Sequence, residues 1–206
     1  MKRTLLLLLL LLIGTLLFSS PITFHGGRTT VIGESGSELI TLTEGASIAF
    51  DAITLNAEEI TLSGEEYRSV VGVGEVSLID TESDLSVFSA SLFYDRITQE
   101  LDIIGFVQVD DRTNGVQLSA FRLYYNLDSE MLEAEASVLL LRHTDVGVMV
   151  CQSEQLIFDR KKQELILRGK PTVEWDGNRY AAEYIRVNLA TEEITMRGAI
   201  TGVIGD

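Results

Sequence analysis

An all-β chain of stacked antiparallel hairpins is the fold this sequence predicts, and three observations carry that reading. One phrase recurs at a nearly fixed spacing, the apolar residues within each copy alternate with period two, and each copy opens on a residue suited to a turn.

The phrase is clearest in DRITQELDIIG (95–105), NLDSEMLEAEA (126–136), DRKKQELILRG (159–169) and NLATEEITMRG (188–198). A looser fifth copy starts at Ser63 and reaches Gly74 with one residue inserted. The anchors Ser63, Asp95, Asn126, Asp159 and Asn188 lie 32, 31, 33 and 29 residues apart, a period of about 31. A small residue, Gly105, Ala136, Gly169 or Gly198, follows ten positions after the anchor in the four tight copies.

Just before each anchor the apolar pair sits at positions −3 and −1: Leu92 and Tyr94, Leu123 and Tyr125, Leu156 and Phe158, Ile185 and Val187. A small residue stands at −6 (Ala57, Ser89, Ala120, Ser153, Ala182). Beyond each anchor the apolar positions continue in the same phase. They are Leu101, Ile103 and Val107 in one unit and Leu132, Val138 and Leu140 in the next. Leu165, Leu167, Val173 and Trp175 follow, then Ile194, Met196 and Ile200. A period of two places alternate residues on one face of a strand, whereas a helix would repeat every 3.6. The polar heads DRITQ, NLDSE, DRKKQ and NLATE read as turns, because Asp and Asn accept hydrogen bonds from backbone two or three residues on. TNG (113–115) and DGN (176–178) read as the intervening turns.

Each unit is therefore a hairpin, and a hairpin alone cannot bury its apolar face, so the units must stack. The small residue ten positions after the anchor falls in the inward phase, where a row of glycines would crease the sheet along a line. Pro171 cannot donate to a ladder, so its strand should be irregular or at an edge. Residues 28–56 alternate like strands without a clean copy, as a terminal unit would, and the repeat domain is taken as 28–206.

Ahead of it, MKRTLLLLLLLLIGTLLFSS (1–20) pairs Lys2 and Arg3 with a 15-residue apolar run. This is the pattern of a signal peptide or an N-terminal anchor, and it places the rest of the chain outside the cytoplasm. The formal charge of the whole chain is −15. Such acidity excludes a nucleic-acid footprint, which needs a basic face.

Little in the sequence points to catalysis. The two histidines, His25 and His143, lack nearby co-ligands beyond Asp145, so no metal is expected. Cys151 lies in strand-like GVMVCQ and reads as a buried thiol. VVGVGEV (70–76) lacks the third glycine and the helix that a phosphate loop requires. The acids recur because the turns recur. The expectation is a non-enzyme without a cofactor.

The register of these units, small–x–x–apolar–x–aromatic–Asp/Asn followed by turn–Glu–apolar–x–apolar–x–Gly, resembles the OstA-like proteins of lipopolysaccharide transport (LptA, LptC and the N-terminal domain of LptD). The resemblance spans about residues 46–204. It implies an elongated, V-shaped β-jellyroll in the periplasm with lipid acyl chains in its apolar interior. By the same token the inward residues named above would line a lipid trough, and the partners would be lipopolysaccharide or another acylated lipid. Other OstA-like jellyrolls would pair along sheet edges near 28–50 and 194–204, giving head-to-tail oligomers. The chain's acidity suggests that anionic head groups project away from it. The competing reading is an exported structural or adhesive β-solenoid scaffold with a dry core.

Overall fold

The structure is a computed structural model that describes residues 23–33, 38–50 and 52–205. The export segment read over 1–20 lies outside the described residues. Among the described residues a single antiparallel sheet of 16 strands accounts for the fold. In chain order they are β1 Thr23–His25, β2 Arg28–Ile32, β3 Leu39–Phe50, β4 Ile53–Ser63, β5 Ser69–Asp80 and β6 Leu85–Asp95. Next come β7 Glu100–Asp111, β8 Val116–Asn126, β9 Met131–Thr144 and β10 Gly147–Asp159. The last are β11 Glu164–Arg168, β12 Thr172–Trp175, β13 Asn178–Ala181, β14 Tyr184–Asn188, β15 Glu193–Arg197 and β16 Thr201–Val203. From β3 to β11 every strand pairs with its sequence neighbour, and the order then continues through β14 to β15.

Turn chemistry explains why the meander advances evenly. Asp80, Asp95, Asp111, Asn126, Asp159 and Asn188 each pair across a four-residue loop with Leu85, Glu100, Val116, Met131, Glu164 and Glu193. In each loop the head side chain accepts backbone N–H groups. Ile97 and Thr98 donate to Asp95 Oδ1 at 2.8 and 3.0 Å, and Ser129 donates to Asn126 Oδ1 at 2.8 Å. The last loop residue closes the turn in the left-handed region, as at Gln99 (φ 55°) and Gln163 (φ 55°). Successive turns also join each other: Leu127 N–H donates to Gln99 O at 2.9 Å and Leu189 N–H to Gln163 O at 2.8 Å. At Asp176–Gly177 both residues have positive φ (49° and 73°), the two-residue hairpin geometry that suits right-handed strand twist.

The sheet is not flat, because every long strand is interrupted near its middle. The registers slip at 43/46, 56/59, 73/76, 88/91, 104/107, 119/122, 135/138 and 153/155. These slips fall in line across the sheet and fold it into two layers, each strand giving one half to each. An extra residue in one strand of a pair bends it and increases its local twist. Toward both ends the break becomes complete. There β1 and β2 pair with opposite halves of β3, while β11/β12, β13/β14 and β15/β16 are separate pieces on either side of the line. Pro171 sits in the gap between β11 and β12, where no ladder N–H is needed.

The core lies between the layers. One layer contributes the inward halves near the Asp95, Asn126, Asp159 and Asn188 turns, the other the halves near the Asp80 and Asp111 turns. The two sets form one continuous apolar cluster from Ile40 to Val187.

Two sequence expectations need correction. The small residues ten positions after the anchors do not face the apolar interior. Ala136, Gly169 and Gly198 are exposed and Gly105 half-buried, all at the outer side of the fold line. Counting by twos assigned them inward, but the left-handed pair that starts at Gly105 and Ala136 (φ 88° and 61°) turns the pleat over. The residues that do crowd the inner side of the bend are the small ones at −6: Ala57, Ala120, Ser153 and Ala182 are all buried. The second correction is Ile200, which lies in the link between β15 and β16 and is 53% exposed.

Candidate functional site

A wide concavity of about 740 Å³ runs across β5 to β9 beside Ile79, Phe88, Gln108, Ser119 and Leu141, but the interior between the two layers is where this fold gathers its apolar residues. Of the inward residues predicted from sequence, Leu92, Tyr94, Leu101, Ile103, Val107, Leu123, Tyr125, Leu132, Val138 and Leu140 are buried there. So are Leu156, Phe158, Leu165, Leu167, Val173, Ile185 and Val187. Trp175, Ile194 and Met196 are half-buried and pack against the same cluster, toward the open end of the meander.

The layers meet along the fold line and part at their free margins, where the turns form two lips. Between the lips is an apolar cleft. Val109, Val116, Leu118 and Leu140 line one side, and Leu132, Leu156, Phe158 and Leu165 the other, with Leu189 at the rim. Its free volume is about 60 Å³. A water molecule takes about 30 Å³ of liquid, so the cleft as it stands admits only a few heavy atoms. A longer chain requires the lips to separate.

Polar groups gather at this margin. Asp80 and Asp111 are buried at the heads of their turns, and burial raises the Asp111 carboxyl above the usual range despite the bonds from Asn114. On the facing lip the residues that follow the turn heads point inward, Leu127 and Arg160 being 7% and 4% exposed. Tyr125 lies next to Arg160; burial raises the phenol's pKa while the guanidinium pulls it down. Tyr94 is pushed up to about 12, chiefly by burial. At the outer end of its turn Asp95 receives Arg68 Nε at 2.8 Å, which with the backbone donors lowers its pKa to about 2.

The other features the sequence singled out stay apart from the cleft's lining. Cys151 is buried, its thiol pushed up to about 12 by desolvation. His143 stands exposed at the end of β9. Among the described residues no cluster of three or more His, Cys, Asp or Glu is placed to hold a metal.

Both ends of the sheet are unpaired among the described residues. One carries β1 and β2, the other β15 and β16. Val31 and Ile32 at the first, and Val203 and Ile204 at the second, are more than half exposed. Sheet edges in soluble proteins are usually blunted by charge or cover, so open edges with β-branched residues are suited to pairing with another strand.

The outer surface carries an apolar patch, of which Ile104 and Phe106 already stand out in the sequence as apolar residues on the nominal outer face. Phe88, Phe93, Ile104, Phe106 and Phe121 are all exposed, Phe106 by 71%, on the outer side of the fold line across β6 to β8. Their signal was visible as apolar residues out of phase with the stripe.

One antiparallel sheet of consecutive strands, folded once along a line of bulges and open at both ends, defines the LptA-like β-jellyroll. Among solved structures the chain is similar to the crystal structure of LptH, described as the LptA-homologous periplasmic component of the conserved lipopolysaccharide transport device from Pseudomonas aeruginosa. The match has a TM-score of 0.54 at 15% identity and covers 62% of this chain and 99% of that one. More than a third of the present chain therefore lies beyond the shared part. No family model matches the sequence, and no curated protein matches it.

Proposed function

We propose that this protein is a periplasmic carrier and bridge for acylated lipid of the lipopolysaccharide type. It holds acyl chains between the layers of its jellyroll and joins jellyroll partners edge to edge between the inner and outer membranes. The observation that carries this reading is the continuous apolar interior of a once-folded sheet, with end strands unpaired among the described residues and a narrow apolar cleft along one margin. Each methylene moved from water into such an interior contributes about 0.8 kcal/mol, so a few acyl chains bind without polar recognition. The fold shared with LptH and the export pattern of residues 1–20 support the same assignment. Nothing in the lining suggests turnover, so the protein acts as a conduit whose driving force comes from its partners.

A second reading, the scaffold with a dry core, has one observation in its favour: the cleft is small and most of the lining is packed. Photo-crosslinking separates the two. A crosslinkable residue at Leu167 or Met196 captures lipopolysaccharide in cells if the layers open to lipid. Reproducible absence of a lipid adduct at both positions, with the protein folded, establishes the dry core. Edge joining predicts head-to-tail oligomers that grow with concentration. A single monomer peak at high concentration in light scattering refutes it.

A further inference from the structure

The lips of the cleft are not electrically neutral. Arg142, near the end of β9, lines the cleft beside Val116 and Leu140. In a chain with 31 acidic residues its side chain makes no hydrogen bond or ion pair among the described residues. Burial lowers its pKa, opposed by the more distant charge of Glu192 on the facing lip. On that lip, Arg160 belongs to the turn next to Leu189 and is 4% exposed. Its Nε and Nη2 are buried with no hydrogen-bond partner. Glu130 Oε2 forms an ion pair with Nε at 3.6 Å, which balances the charge but is too long for a hydrogen bond. Those two nitrogens form the side-on fork with which a guanidinium grips a carboxylate or phosphate by two parallel bonds. Donors sealed in this way cost stability until something accepts from them.

We propose that Arg142, assisted by Arg160 from the facing lip, holds the phosphate of an anionic amphiphile whose acyl chain enters the apolar cleft. This rests on the carrier reading above and specifies its ligand. The head enters the margin, in contrast to the outward projection that overall acidity suggested. Two cations and several open donors match a phosphate monoester, which carries up to two charges near neutral pH and three acceptor oxygens, better than a carboxylate. Parting of the lips to admit the chain is the same movement that uncovers the Arg160 fork, so tail and head are accommodated together.

The single tryptophan reports on this. Trp175 Nε1–H donates to Thr144 Oγ1 at 3.2 Å, and Thr144 is two residues from Arg142. The test is titration of the protein with dodecyl phosphate, dodecanoate and dodecyl maltoside, each below its micellar concentration, followed by Trp175 fluorescence. Wild type is expected to bind dodecyl phosphate at least about tenfold more tightly than dodecyl maltoside, the scale of one charge-assisted contact. R142Q should lose that preference, its affinity falling far more for the phosphate than for the maltoside, whereas R142K should retain part of it. R160K, which keeps the charge but removes the fork, should also reduce it. Equal binding of phosphate and maltoside by wild type overturns the head-group assignment and leaves the carrier reading standing. An R142Q loss that is the same for both probes overturns it too, by making Arg142 a packing residue. Dodecanoate binding as tightly as dodecyl phosphate refutes the phosphate specificity. Failure of every probe to bind overturns the carrier reading and this inference with it.

Discussion

Replacing Gly169 with alanine tests the physics of the fold line. Gly169 has φ 75°, and a Cβ built there would lie 2.5 Å from Glu154 Cβ and 2.9 Å from its Cγ. Two costs follow. The left-handed backbone disfavours an L side chain by about 1–2 kcal/mol, partly offset by about 0.4–1 kcal/mol from the stiffer unfolded chain. The contact with Glu154 Cβ, fixed to the backbone of the neighbouring strand, adds about 1–3 kcal/mol of overpacking. G169A should therefore lose about 2–4 kcal/mol. Gly45 supplies the control: its φ is 84° and nothing lies within 4 Å of its added Cβ, so G45A carries the backbone term alone, about 1 kcal/mol. Ala136, with φ 61° at the equivalent place in β9, already bears the strain, and A136G should relieve about 0.5–1 kcal/mol. Urea unfolding followed by Trp175 fluorescence measures all three. If G169A costs no more than G45A, crowding at the fold line is not what requires glycine, and the bend has another cause.

Three further outcomes are expected. Asp95 has a folded pKa of about 2, below its unfolded value, so its stabilisation is complete above about pH 4 and vanishes as pH falls through 2. D95N should flatten stability against pH in that window, and an unchanged acid limb in urea titrations would show the Arg68 contact to be inert. Asp111 is the opposite case, a carboxyl raised by burial and thus destabilising when ionised. Asn occupies the same turn position at 126 and 188, so D111N should raise the urea midpoint at pH 7, and a fall would contradict the assignment. Leu167 is fully buried, so L167A should cost about 2–5 kcal/mol in the lipid-free protein, and a loss under about 1 kcal/mol would mean that the layers do not pack there.

Much of the architecture was written locally. The turn heads Asp95, Asn126, Asp159 and Asn188 sit where the sequence places them, because an Asx side chain needs only its own next few backbone groups. The inward phase of Leu101, Ile103, Leu165 and Leu167 was equally legible, since alternation on a strand depends only on parity. Phase failed at Gly105 and Ala136, where two left-handed residues in a row reset the pleat, and at Ile200, where the strand breaks before the count does. Distance in the chain hid the cleft margin altogether. Arg142, Arg160 and Leu189 belong to three different units and share no motif. Only the folding of one layer onto the other sets their lips face to face and leaves one arginine unpaired and the other's fork sealed. By itself, then, the sequence determined the repeat, its turns and its buried face, all consequences of short-range hydrogen bonding and parity. The tertiary structure alone decided where the sheet bends, which edges stay open and what charge meets the mouth of the interior. Those depend on contacts between residues that only packing brings together.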